Sequence, residues 1–313
     1  MITNKEKAKA IKRKNDKAKQ NAPEGNPAIA QDFHKMLDDF HKLNVNNDYK
    51  LDVMLLQDEI EQMTDGRSNL RGTWDESLPT FSPSSADDCE RSLAFKIIGA
   101  DEDEQVMEPY QKRWVRNGSA VHKAIQRDLI YIEKYLKDAP FEVCRTKEGK
   151  PAWERNTRTV KKFEHNGEKF QLYGMVDGML YYKPEKKRIG FDFKTKSTTI
   201  ASIGDYKLKA PQENNVLQAV CYSLLFDVDE YIICYESLAK DGWTKGADAK
   251  PDIRVFHIKI TEAMKQAVLD KFAGIAKQLR EDKLPAPNFE KCLFCPFKEV
   301  CSEVEKGAEA LGF

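Results

Sequence analysis

Two aspartates and a lysine fall where the chain is otherwise most apolar. In FQLYGMVDGMLYYKPEKKRIGFDFKTKS, from Phe170 to Ser197, Asp177 follows Val176, and Asp192 lies between Phe191 and Phe193 with Lys194 next. The segment reads as two strands, 170–182 and 188–195, joined by a turn at Lys183–Lys187. Side chains alternate faces along a strand, so Asp192 and Lys194 share one. A hairpin centred between residues 184 and 185 sets Asp177 opposite Asp192. Centred between 185 and 186, it sets Asp177 opposite Lys194. Both registers keep the three on one face, and a slip of one residue between them moves Asp177 to the other. A charge on such a strand costs several kcal/mol unless it is paired or bound to metal. Neighbouring carboxylates repel and need a compensating charge. A divalent cation supplies it, and hard oxygen ligands suit magnesium or manganese. A lysine beside them can stabilise charge developing on a phosphoryl oxygen or orient an attacking water. The plainer alternative is a solvated edge on which Asp and Lys form ion pairs.

Two helices carry further candidates. Residues 109–137 have Trp114, Gly118, Val121, Ile125, Leu129 and Ile132 along one side. His122 stands four residues after Gly118, on the same face. A histidine there is a core residue or, as a neutral imidazole, a metal ligand. The helix near 213–227 carries Gln218 and Tyr222, also four apart. They read as ordinary helix-face polarity or as contacts to a nucleic-acid phosphate or base.

Cysteine spacing adds a second site. Cys292-x2-Cys295-x5-Cys301 places three soft ligands in one short loop. A zinc or iron–sulfur site usually needs four thiolates. Cys144, Cys221 and Cys234 lie in strand or helix contexts and read as core thiols. Cys89 remains as the fourth candidate, 203 residues before Cys292. A metal there would act as a clamp closing a long loop, formed only in the folded chain. Spacing fits zinc and iron–sulfur alike. Seven cysteines, an odd number, and no apolar leader at the N-terminus argue against a disulfide framework and for a soluble intracellular protein.

The remaining chain reads as a mixed α/β layer rather than a regular βαβ series. Residues 1–27 form a basic arm, with eight of the first twenty Lys or Arg. Amphipathic helices follow, one with Ile29, Phe33, Met36, Leu37, Phe40 and Leu43, the other with Val53, Leu56, Ile60 and Met63. A loop from Asp65 to about Pro83 marks a boundary, dividing a 1–80 arm and helical extension from an 81–313 domain. A short helix at 84–98, strands at 158–165, 230–237 and 252–260, a helix at 262–281 and a loop-rich tail complete the pattern. Lys+Arg and Asp+Glu both total 51, so any nucleic-acid site must be a local cluster rather than a bulk basic field. No run is apolar enough to span a bilayer, and no GxxxxGK[ST] sequence occurs, so ATP-driven unwinding would need a partner.

Taken together, Gly118-x3-His122, Gly174-x2-Asp177, Asp192-x-Lys194 and Gln218-x3-Tyr222 resemble the RecB-like branch of the PD-(D/E)XK nuclease superfamily. With Cys89 and LPAPNFEKCLFCPFKEVC, the chain is similar to the iron–sulfur members, such as the CRISPR-associated exonucleases and the AddB nuclease domain. The resemblance covers roughly residues 80–305. It departs at Asp192, where many relatives carry Glu, and at Glu90, where proline often follows the first cysteine. It implies a restriction-endonuclease-like core, a central mixed sheet flanked by helices, closed by the cysteine-bound cluster. It implies that His122, Asp177, Asp192 and the Phe193 carbonyl hold Mg²⁺ or Mn²⁺, with Lys194 assisting the water. Gln218 and Tyr222 would position DNA, and Cys89, Cys292, Cys295 and Cys301 would bind a 4Fe–4S cluster, with zinc the alternative. The implied activity is that of a DNA exonuclease in recombination, repair or replication, working with a helicase or recombination partner. The rival reading is a non-catalytic DNA-binding module.

Overall fold

The computed structural model describes residues 23–64, 70–104, 106–240 and 243–311. Most of the expected basic arm, residues 1–22, lies outside the described residues.

Helix α1 (Pro27–His41) starts at Asn26, whose side chain accepts the Ala28 N–H, with Pro27 in the first turn. Its apolar residues recur at helical spacing, and Ile29, Phe33, Met36, Leu37 and Phe40 are buried. Helix α2 (Tyr49–Thr64) follows. Its Asp52 pairs with Arg127, and its Asp58 accepts two bonds from Asn156 Nδ2 at 2.9 and 3.0 Å. Helices α3 (Glu90–Ile98) and α4 (Pro109–Tyr135) come next.

The strands form two sheets. β1 (Thr80–Phe81), β4 (Glu168–Gly174) and β3 (Thr159–His165) make one, in that spatial order. β2 (Phe141–Val143), β5 (Gly178–Tyr182), β6 (Lys187–Lys196), β7 (Glu230–Ser237) and β8 (Ile253–Lys259) make the other. β6 and β7 run parallel, so the chain must cross over between them, and helix α5 (Glu213–Phe226) makes that crossover. Helices α6 (Glu262–Arg280) and α7 (Lys298–Leu311) close the order.

Two cores lie on opposite faces of the five-stranded sheet. Ile189, Phe191, Phe193, Ile232 and Cys234 pack with α1 and α4. Phe33 seats its ring 5.4 Å from Phe141 and 5.3 Å from Phe191, so the N-terminal helix shares this core. On the other face, Tyr231, Ile233 and Tyr235 pack with α5 and α6. Asp192 alternates with Phe191 and Phe193 and therefore faces the α5 side. Gly190, two residues earlier, confirms the direction: a Cβ there would come within 2.0 Å of the Tyr231 ring.

One expected strand is corrected. Residues 170–182 do not form one strand but two, in different sheets: β4 ends at Gly174 and β5 begins at Gly178. Gly174 abuts Pro83 and Leu225, and a Cβ would meet the Pro83 ring at 2.8 Å. Val176 turns inward, fully buried, and donates its N–H to Thr157 Oγ1 at 3.2 Å. The tail is loop-rich, as its composition suggests, apart from a 3-10 helix at Phe289–Phe294, and then becomes α7.

Candidate active site

The gap between β4 and β5 places Asp177 at the end of the five-stranded sheet. β5 and β6 pair as Gly178↔Phe191 through Tyr182↔Lys187. Continuing that register by one residue sets Asp177 opposite Asp192, the first of the two arrangements allowed by alternation. Asp177 Oδ2 accepts the Phe193 N–H at 2.9 Å, so its carboxylate is held against β6.

His122 reaches the same point from α4. Its Nε2 lies 3.6 Å from Asp177 Oδ2, and its Nδ1 lies 3.5 Å from Glu154 Oε1. The imidazole stacks on the Phe193 ring, centroids 5.9 Å apart. Ligand atoms of His122, Glu154 and Asp177 all fall within 4.8 Å of one another. Glu154 was not expected. It opens a short helical turn, Glu154–Thr157, in the left-handed region at φ 46°, with its N–H donated to Val176 O at 2.8 Å. Asn156, held by Asp58, ties this turn to α2. Burial, then the neighbouring Asp177 carboxylate, raises the Glu154 pKa above the usual range. Gln126, one turn after His122, donates to the Asp177 carbonyl at 3.0 Å and to Glu154 Oε1 at 3.5 Å. The spacing His122-x3-Gln126 continues the Gly118–His122 stripe and was readable. Glu154 belongs to no local pattern.

Asp192 and Lys194 form the second half of the site. Lys194 Nζ donates to Asp192 Oδ1 at 2.8 Å. Asp192 is fully buried, and burial pushes its pKa up to about 7 against the opposing pull of the Lys194 ammonium. Burial works against the Lys194 charge as well, but Asp192 and then Asp177 outweigh it and raise its pKa. Two buried polar atoms here lack a hydrogen-bond partner among the described residues: His122 Nε2 and Asp192 Oδ2. Gln218 Nε2 donates to Tyr222 Oη at 2.8 Å, so this pair is joined. The Tyr222 hydroxyl is raised well above its ordinary pKa by burial and then by the Asp177 and Asp192 charges.

The four candidate cysteines also meet. Cys89, Cys292, Cys295 and Cys301 line one cavity of about 370 Å³. Cys89 Sγ accepts the Asn288 N–H at 3.3 Å, and Arg91 Nη1 lies 3.8 Å from Cys301 Sγ. Burial, and then the other three sulfurs, raise the Cys292 pKa. No three of these sulfurs fall within 4.8 Å of one another. Cys221 and Cys234 are buried core thiols, and Cys144 is half-buried. No helix among the described residues is long and apolar enough to cross a membrane.

A model of the PD-(D/E)XK nuclease superfamily matches residues 11–302. No curated protein matches the chain. Among solved structures, SSO0001 is 16% identical with a TM-score of 0.41, over 81% of this chain and 97% of that one. The alkaline exonuclease LHK-Exo from Laribacter hongkongensis is 10% identical with a TM-score of 0.36, over 75% and 95%. LHK-Exo in complex with dAMP is 10% identical with a TM-score of 0.35, over 67% and 92%.

Proposed function

Since the chain belongs to the PD-(D/E)XK nuclease superfamily, we propose that it is a divalent-metal-dependent deoxyribonuclease, an exonuclease on single strands or DNA ends. The observation that carries this reading is the pair of buried atoms without a hydrogen-bond partner among the described residues, His122 Nε2, 3.6 Å from Asp177 Oδ2, and Asp192 Oδ2. Such atoms are costly unless something binds them. The donor set of one imidazole and several carboxylates suits Mg²⁺ or Mn²⁺. His122, Asp177, Asp192 and the Phe193 carbonyl would hold the ion, with Glu154 added from the structure. When bound, it would supply Lewis-acid stabilisation of a phosphoryl oxygen and a more acidic water.

The chain's own groups do the rest. Lys194, fixed by Asp192, offers an ammonium to an oxygen that gains charge or to the attacking water. Gln218 and Tyr222 bind and orient the DNA backbone beside it. The preorganised pairs Phe193–Asp177 and Gln126–Asp177 hold the acid still while the substrate changes. Digestion of this kind serves recombination, repair or replication, with a helicase or recombination partner supplying any unwinding.

The cysteine cavity is assigned to a 4Fe–4S cluster. A tetrahedral zinc on the same four thiolates is the alternative occupant. A cubane spreads its four thiolates over four iron corners. The cluster would clamp the start of α3 to the 292–295 segment and to the first turn of α7.

Digestion of 5′- and 3′-labelled DNA with Mg²⁺ or Mn²⁺ tests the reading and reports polarity. Wild type should cleave, and Asp192→Ala or Lys194→Ala should not. DNA binding without hydrolysis under either metal would reject a nuclease in favour of a binding module. A brown protein absorbing near ~400 nm supports the cluster; a colourless one with a single zinc rejects it.

A further inference from the structure

The N-terminal half of α4 carries a feature that the catalytic reading leaves unused. Tyr110 and Trp114 are 47% and 45% exposed, and their rings meet edge to face at 5.0 Å. They sit four residues apart, and Gly118 and His122 follow at the same interval, so one ridge of the helix joins the aromatic pair to the imidazole. At Gly118 the helix comes against β6: a Cβ there would lie 3.2 Å from Thr195 Oγ1, next to Lys194. Beyond that contact the helix continues with both aromatics in solvent. A capping box between Glu108 and Gln111, with Pro109 in the first turn, holds its start.

The same two turns concentrate positive charge. Lys112, Arg113 and Arg116 are exposed and form no ion pair among the described residues. Further along the same helix, by contrast, Lys123 pairs with Glu59 and Arg127 with Asp52. Aromatic faces interleaved with unpaired cations are what single-stranded nucleic acid requires: stacking for bases and charge for phosphates. At 1.5 Å per residue, Trp114 and Tyr110 lie roughly 12 and 18 Å along the axis from His122. That is about four to five nucleotides at the ~3.4 Å spacing of stacked bases.

We infer that Tyr110 and Trp114 form a base-stacking platform that grips a single DNA strand a few nucleotides from the reacting phosphate, with Lys112, Arg113 and Arg116 on its backbone. This rests on the nuclease reading for the position of the reacting phosphate, but not for the binding itself.

The test is fluorescence anisotropy of a labelled oligothymidylate with the full-length protein in EDTA. Tyr110→Ala/Trp114→Ala should bind roughly tenfold or more weakly, while Trp114→Phe keeps most of the affinity. On an oligonucleotide made abasic over its third to sixth positions, wild type and the double variant should bind alike. Arg113→Ala/Arg116→Ala should lower the slope of log affinity on log salt by roughly 1.4. Circular dichroism should match wild type throughout, because the replaced side chains are exposed. Unchanged affinity of the aromatic variant for the intact strand overturns the inference, as does an equal loss on intact and abasic strands. Loss of self-association with DNA binding unchanged would also overturn it, making the face a protein contact. The two readings fail separately. A protein that binds through Trp114 yet never cleaves loses the nuclease assignment only. One that cleaves and binds normally without Trp114 loses this platform only.

Discussion

The His122 imidazole lies parallel to the Phe193 ring, with centroids 5.9 Å apart and planes inclined by 9°. This contact couples α4 to β6 at the residue between Asp192 and Lys194. Phe193→Leu should keep most of the packing volume and cost less than about 1.5 kcal/mol. It removes the platform under the histidine, so kcat should fall about tenfold. Urea titration and single-turnover cleavage check the two separately; wild-type cleavage would show that the stack positions nothing.

Glu154 occupies a left-handed backbone position with its carboxyl group buried beside Asp177. Glu154→Gly removes both backbone strain and a buried acid. Metal-free stability should rise by about 1 kcal/mol, while cleavage at limiting Mn²⁺ falls at least tenfold. Asp58→Ala should weaken cleavage in the same direction, because Asn156 then loses the bonds that hold the Glu154 turn. Calorimetry in EDTA and a Mn²⁺ titration of activity provide the readout. Lower stability with full activity would remove Glu154 from the site.

The folded protein raises the Asp192 pKa to about 7, from an ordinary value of 3.8. The unfolded chain therefore releases this proton at lower pH than the folded one. Without metal, the stability contribution is complete below about pH 4 and is lost as pH rises towards about 7. At about 1.4 kcal/mol per unit, the loss is on the order of 4 kcal/mol. Asp192→Asn should flatten this part of the curve. Denaturant midpoints in EDTA between pH 4 and 8 measure it, and parallel curves for the two proteins would contradict the assignment.

Cys89, at the start of α3, lines one cavity with Cys292 and Cys295 before α7 and Cys301 within it. Cys89→Ser should remove the ~400 nm absorbance and open residues 284–297 to protease, leaving the five-stranded sheet intact. Limited proteolysis with mass spectrometry reads this out; an unchanged cleavage pattern would mean that the cysteines do not clamp the segment.

Phe33 is fully buried between Phe141 and Phe191. Phe33→Ala should cost about 3–5 kcal/mol, as a core position of the sheet rather than of a detachable extension. A loss under 1 kcal/mol by urea titration would show that α1 is only loosely docked.

Local order in the sequence determined what repeats along a chain. Alternation put Asp192 and Lys194 on one face, helical spacing aligned Gly118 with His122 and Gln218 with Tyr222, and the cysteine intervals marked a single stretch of chain, though not that Cys301 lies in the first turn of a helix. Each is a property of a few consecutive residues, because strand and helix geometry act over short distances. Only the tertiary structure decided between the two hairpin registers and divided 170–182 between two sheets. An apolar run looks the same whichever ladder it joins, and here Gly174 against Pro83 and the inward turn of Val176 made the choice. Glu154 likewise came into view only once folded. It reaches His122 and Asp177 through a turn braced by Asp58, and contacts between segments so far apart depend on which surfaces pack together, which no local pattern encodes.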